Sequence, residues 1–260
     1  MKKTLIKSIS VLALLSALLL SAYAQTGNNS KSAETNAKPA DTPSAAIPTT
    51  AITATATPIA LAKAALAAQG GENFKAMKSA ILRGSVDLYG PNSTQSLPGG
   101  FVLVTAGDKF RMEVDARPLF SFKQIFDGQQ TYSSLPGAEM APANKFGMRL
   151  LTRIDEPGYT VSALPDKKKT RGFRIADAEG NATDFYVDLA TGRVMSYSFT
   201  YNSVNFGHEN KKFKEVEGVL VPSSFTERFE MRQGAAFAEF NVKDIKLNQA
   251  MTDDVFAMPN

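Results

Sequence analysis

The chain has 260 residues, 29 Lys and Arg against 25 Asp and Glu, one His and no Cys. Its net charge of +4 falls to +1 once Lys2, Lys3 and Lys7 are set aside as part of an export segment, which removes the electrostatic case for nucleic acid. Disulfides, thiolate metal sites and a lipidated cysteine are excluded, and a lone His argues against a histidine metal cluster or a hydrolytic triad.

Residues 1–24 read as a signal peptide. The three lysines precede an apolar run from Ile9 to Leu20 that is short for a membrane span, and Ala22-Tyr23-Ala24 supplies the small residues of a cleavage site before Gln25. Export to the periplasm is the expectation. Residues 25–58 are rich in Ala, Thr, Ser and Pro, lack aromatics, and carry charges that cancel. Such a stretch cannot bury enough surface to fold, so a disordered linker with a reach of roughly 30 Å is predicted. Residues 59–260 are left as one domain.

Ile59 to Gln69 has apolar residues at helical spacing and is closed by Gly70-Gly71, as a C-cap would close it. Asn73 to Ser79 adds a short second turn of helix. After that the period changes to two. Ile81–Tyr89 and Phe101–Thr105 read as strands ending at turn signals, and Lys109–Ala116 alternates with Phe110, Met112 and Val114 on one face and Arg111, Glu113 and Asp115 on the other. Phe120 and Phe122 continue that run toward the Asp127-Gly128 turn, with a return strand over 129–134.

The alternation breaks once. Phe146, Leu150 and Ile154 are four residues apart within 142–154, which predicts a short amphipathic helix weakened by Gly147 and serving either as a lid or as a plug for the core. Strands then resume at 159–164, 172–176, 184–188, 193–201, 206–217, 219–232 and 237–247, about ten in all by this reading. Short connections imply an antiparallel sheet large enough to curl. A two-residue step at Lys243-Asp244 predicts a bulge in the last strand.

No motif announces catalysis, a cofactor or a metal. His208 reads as a packed or solvated side chain, Asp155-Glu156 and Asp253-Asp254 as turn or surface carboxylates, and Lys167-Lys168-Lys169 as a solvated hairpin tip. What is abundant is phenylalanine, seventeen residues, many at alternating strand positions. A sheet lined in this way either fills its concavity with its own helices or leaves room for an apolar guest.

In order, the leading AAQGGENFKAMKS, the strand ILRGSVDLYG with its central glycine, KFRMEVD, IFDGQQTY, KEVEGVLVPSSF and the closing VKDIKLNQAMTDDVFAMP resemble the LolA/LolB-like lipoprotein carrier and sorting proteins of bacterial envelopes, along 59–260. The resemblance implies a mainly β (α+β) fold, a strongly curved antiparallel sheet forming an incomplete (half) barrel covered by helices. It implies a non-enzymatic carrier, without cofactors, whose partners are an acyl lipid or lipoprotein cargo, an inner-membrane donor and an outer-membrane acceptor. On that reading the cavity is lined by Phe110, Met112, Val114, Phe120, Phe122, Phe185, Val187, Tyr197, Phe199 and Phe240, and the lid carries Phe146, Leu150 and Ile154. Phe256 would tuck the tail against the body. The alternative is an envelope interaction or sensor module of the same fold with a self-filled cavity. Two departures stand out: Thr105-Ala106-Gly107 replaces the arginine that carriers place ahead of the segment matching KFRM, and the receptor branch's lipidated cysteine is missing.

Overall fold

One antiparallel sheet of twelve strands organises the chain, in the order β5-β4-β3-β2-β1-β12-β11-β10-β9-β8-β7-β6. The computed structural model describes residues 52–53, 55–136, 139–231 and 234–259. The signal peptide and nearly all of the linker expected over 25–58 lie outside the described residues. Helices α1 (Pro58–Ala68) and α2 (Glu72–Ala76) lead into β1 (Ser79–Tyr89), β2 (Ser96–Ala106), β3 (Lys109–Ala116), β4 (Phe120–Phe126) and β5 (Thr131–Ser133). A 3₁₀ helix, η1 (Met148–Arg153), separates these from β6 (Thr160–Lys167), β7 (Thr170–Ala176), β8 (Ala182–Asp188) and β9 (Val194–Tyr201). The long strands β10 (Val204–Val216), β11 (Val219–Met231) and β12 (Gly234–Leu247) follow, and a last 3₁₀ turn, η2 (Asp253–Phe256), ends the chain.

Consecutive hairpins account for every pairing except one: β1 pairs with β12, which joins the two meanders. That seam carries the predicted bulge. Arg83 pairs with Asp244 and Gly84 with Val242, so Lys243 is the extra residue. Gly84 is required there, because a Cβ would sit 2.0 Å from the Asn241 carbonyl oxygen and 3.0 Å from the Phe101 ring.

Expectation and structure differ at several points. Phe120–Phe126 is a strand of its own, since the turn at Arg117–Leu119, where Arg117 N–H donates to Asp115 Oδ1 at 3.1 Å, reverses the chain. The amphipathic helix expected over 142–154 is a 3₁₀ helix beginning at Met148, because Gly147 at φ 81° breaks the helical path ahead of it and leaves Phe146 outside. The strongly curved half-barrel becomes an open sheet: its edge strands β5 and β6 do not pair with each other, and the sheet is not strongly curled.

The two faces have different covers. On one, Leu61, Ala65 and Leu66 of α1, Phe74 of α2, and Leu150, Leu151 and Ile154 pack with inward residues of most strands into the main core. Small alanines let α1 lie close to β6 and β7. The approach to α1 is already docked: Ile52 N–H donates to Leu189 O at 3.0 Å, Arg171 Nη1 donates to the carbonyls of Thr53 and Ala56, and Ile52 and Ala56 pack against the core. On the opposite face Phe256, 2% exposed, packs with Val104 and Ile125 in a smaller cluster, as expected for the tail.

Candidate ligand-binding face

Period-two alternation puts aromatic rings of most of these strands on the core side, and pairing brings them into files, with Gly84 of β1 leaving that strand without one. Phe173 stacks on Phe185 with centroids 5.2 Å apart, Phe185 meets Tyr197 at 6.0 Å, and Tyr197 stacks on His208 at 4.4 Å. His208 stacks on Phe225 at 5.0 Å, Phe225 on Phe240 at 4.8 Å, and Phe240 meets Phe101 edge-on at 4.9 Å. The file therefore runs from β7 to β2. A shorter second file lies beside it: Phe146 stacks on Phe199 at 4.5 Å, Phe199 on Phe206 at 5.0 Å, and Phe206 meets Phe229 at 5.6 Å.

His208 interrupts the first file with a titratable ring. Its Nδ1 is 2.7 Å from Glu227 Oε1 and its Nε2 is 2.7 Å from Asn210 Oδ1. The Asn210 amide nitrogen donates to Val194 O at 2.9 Å, so its oxygen is the atom turned to His208. Both ring nitrogens thus face acceptors, an arrangement that suits the imidazolium. Burial alone would lower the His208 pKa, but the Glu227 carboxylate and the two hydrogen bonds outweigh it and the net shift is upward. Burial pushes the Tyr197 phenol well above its ordinary value, assisted by Glu227.

The expected lining residues share this face, in two conditions. Val114, Phe185, Val187 and Phe240 are buried in the main core, which also takes in side chains of the protein's own helices. Met112, Phe120, Phe122 and Tyr197 are partly buried at its margin, while Phe110 and Phe199 are half-buried outside it. Of the expected lid residues, Leu150 and Ile154 are in the main core and Phe146 is seated on Phe199. Sequence reasoning passed over Phe101, Phe173, Phe206, Phe225 and Phe229. Alternation in Phe206-Gly-His208-Glu-Asn210 could have placed Phe206, His208 and Asn210 together, whereas nothing in β11 marks Glu227 as their partner.

Polar contacts along its length tie the segment over this face to its surroundings: Asn202 donates to Glu139, Lys145 pairs with Glu179 at 3.0 Å, and Asp155 pairs with Lys63 at 3.2 Å. Gly147 N–H donates to Thr183 Oγ1 at 3.1 Å, and Arg153 donates to Asp108 Oδ1 at 2.8 Å and to the Tyr159 hydroxyl at 2.9 Å. Asp108 lies in the β2–β3 turn, so Arg153 ties η1 to the other meander. A separate groove of about 380 Å³ opens on the opposite face, lined by Tyr186, Gly207, Lys211, Arg228 and Phe237. Its mixed charges set it apart from the ring-lined side. Among the described residues no group of three or more His, Asp or Glu could hold a metal ion, and no helix is long and apolar enough to cross a membrane.

No family model and no curated protein matches the chain. A LolA superfamily protein of Nitrosomonas europaea superposes with a TM-score of 0.52 at 10% identity, covering 78% of this chain and 98% of its own. The fold is that of the LolA superfamily. A domain from Vibrio parahaemolyticus, provisionally described as an outer membrane lipoprotein-sorting protein, gives a TM-score of 0.49 at 12% identity over 76% of this chain and 95% of its own. A DUF1329 family protein of Desulfovibrio piger gives 0.49 at 9% identity over 78% and 98%. In this LolA-like chain both files of rings lie on the helix-covered side of the sheet.

Proposed function

We propose that the protein is a non-enzymatic carrier of the periplasm that binds acyl chains of a lipid or lipoprotein on the helix-covered face and delivers them toward the outer membrane. The observation that carries this reading is the ring-lined face beneath a cover that includes a short 3₁₀ helix, in a LolA-like fold. Withdrawal of 139–159 would uncover Phe199, Phe206 and Phe229 first, and the half-buried Met112, Phe120 and Phe122 widen the track. Acyl burial contributes roughly 0.8 kcal/mol per CH₂, so affinity needs no charged contact.

A second reading rests on a different observation. The centre of the face is filled by Leu61, Leu66, Leu150 and Leu151, which favours a self-filled module that binds an envelope protein. Native purification, solvent extraction and mass spectrometry separate the two. Stoichiometric acyl lipid, with saturable uptake of a fluorescent fatty acid, is the carrier's outcome. Lipid-free protein that takes up no probe and holds a defined protein partner would sink it in favour of the module.

A further inference from the structure

The strand order ends at β6, which pairs with β7 on one side and with no other strand among the described residues. Backbone alternation tells which of its groups are free. The N–H of Asp177, one residue past β7, donates toward β8, to Asn181 O at 3.0 Å. Phe173 and Ile175 therefore turn their backbone groups to β8, and Gly172 and Arg174 turn theirs to β6. Their partners Leu164 and Ser162 turn toward β7, with the Gly172 N–H also reaching Asp166 Oδ1 at 3.2 Å, which leaves the N–H and C=O of Val161 and Ala163 facing outward. Pro165 has no N–H, and that of Tyr159 donates to Glu156 O, so the free template is short and centred on Ser162.

This template lacks the charges that usually guard an edge, since Thr160 to Leu164 carry none. Its flanks are charged with opposite sign. Exposed Asp155 and Glu156 precede it; exposed Asp166, which Arg171 offsets at 3.3 Å, and exposed Lys167, Lys168 and Lys169 follow it. Asp155 also reaches Lys63 at 3.2 Å, and Lys167 lies over the Tyr186 ring, so Glu156, Lys168 and Lys169 are the members that no ion pair among the described residues draws elsewhere.

We propose that two copies of this chain join edge to edge through β6, antiparallel about a twofold axis at Ser162. Val161 of each copy then faces Ala163 of the other and the outward N–H and C=O groups are exchanged. The acidic turn of each copy meets the basic tip of the other, whereas parallel pairing would set like charge on like. The opposite edge, β5, is three residues long, so assembly closes at the dimer.

The chain has no Cys, so Ser162→Cys places a single thiol at the axis. In an antiparallel pair without direct hydrogen bonds the Cα atoms are about 4.5 Å apart, within the roughly 4.4–6.8 Å that a disulfide spans. Light scattering should find a concentration-dependent dimer, and mild oxidation should cross-link Ser162→Cys but not Ser198→Cys, which lies on an interior strand. Glu156→Lys or Lys168→Glu alone should raise the dimer Kd about fivefold, and the two together should restore it. A monomer at every concentration, a dimer that Ser162→Cys does not cross-link, or one indifferent to both charge reversals would overturn the proposal. So would protection of the Val161 and Ala163 amides that vanishes when residues 25–51 are deleted, because the chain's own segment would then be the occupant.

Discussion

His208 and Glu227 face each other across β10 and β11 with Nδ1 and Oε1 2.7 Å apart, and the imidazole is held between the rings of Tyr197 and Phe225. A titratable pair inside a file of aromatics ties the packing of the face to protonation. The groups turned to His208 are Tyr197 from β9, Glu227 from β11 and Asn210 on its own strand, with Glu209 adding a longer-range attraction.

The His208 pKa is raised in the folded protein. Its contribution to stability is therefore fully present below the unfolded value of about 6.5 and is lost as pH rises through the folded value. Urea midpoints should fall on going from pH 6 to pH 9. Glu227→Gln, which removes one partner of a largely buried pair, should cost roughly 3 kcal/mol at pH 6 and flatten the profile. A variant profile parallel to that of the unaltered protein would show that this pair does not set the pH dependence.

The two faces of β3 invite a paired test. Met112 packs against the main core, so Met112→Asp should cost roughly 2–5 kcal/mol or, if folded, abolish uptake of a fatty-acid probe. Its neighbour Arg111 is on the wet face, yet its guanidinium donates to Val255 O at 2.6 Å and pairs with Glu113. Arg111→Asp should therefore cost about 1–2 kcal/mol and loosen the tail over Val104 and Ile125, read as protease cleavage near residue 251. Equal losses with no tail cleavage would refute this assignment of the faces.

How much of this was legible depends on the range of the interaction. Alternation in Lys109–Ala116, the Gly70-Gly71 cap and the Lys243 step are local signals, and each is where local reasoning put it, whereas the buried Phe256 was expected only from the resemblance. The β1–β12 seam joins residues more than a hundred positions apart, and no local period reports such a partner. The first half of β2, Ser96 to Gly100, contains Pro98 and paired glycines and reads as a turn, although it pairs with β1 throughout. The His208–Glu227 pair was hidden because Glu227 lies in a run of polar residues whose inward members only the register identifies. The 142–154 segment was half legible: apolar spacing marked Phe146, Leu150 and Ile154, all buried, while the geometry at Gly147 decided the type of helix.

The seam supplies a third test. A methyl group at Gly84 would stand 2.0 Å from the Asn241 carbonyl oxygen, and that contact is with backbone, which cannot swing away. Gly84→Ala should therefore cost about 3 kcal/mol or more, against the roughly 0.5–1 kcal/mol by which Ala ordinarily improves on Gly inside a strand. An unchanged or raised urea midpoint would mean that β12 is not bulged against β1 as described.

Arg153 offers a way to loosen the cover without touching the face beneath it. Its ion pair with Asp108, at 2.8 Å, joins η1 to the β2–β3 turn, and Asp108 is more exposed than Arg153, with 44% against 22% of the side chain accessible. A pair so open to water contributes little to global stability, within about 1 kcal/mol, but it ties the cover to a second element. Asp108→Asn should leave the urea midpoint nearly unchanged while accelerating uptake of a fluorescent fatty acid several-fold and lowering amide protection across 147–154. Added salt, by screening the same pair, should speed uptake by the unaltered protein and have little effect on the variant. If the variant takes up probe at the original rate, with unchanged protection over η1, then the cover is held by its apolar packing and its other polar ties, and Arg153 is no latch.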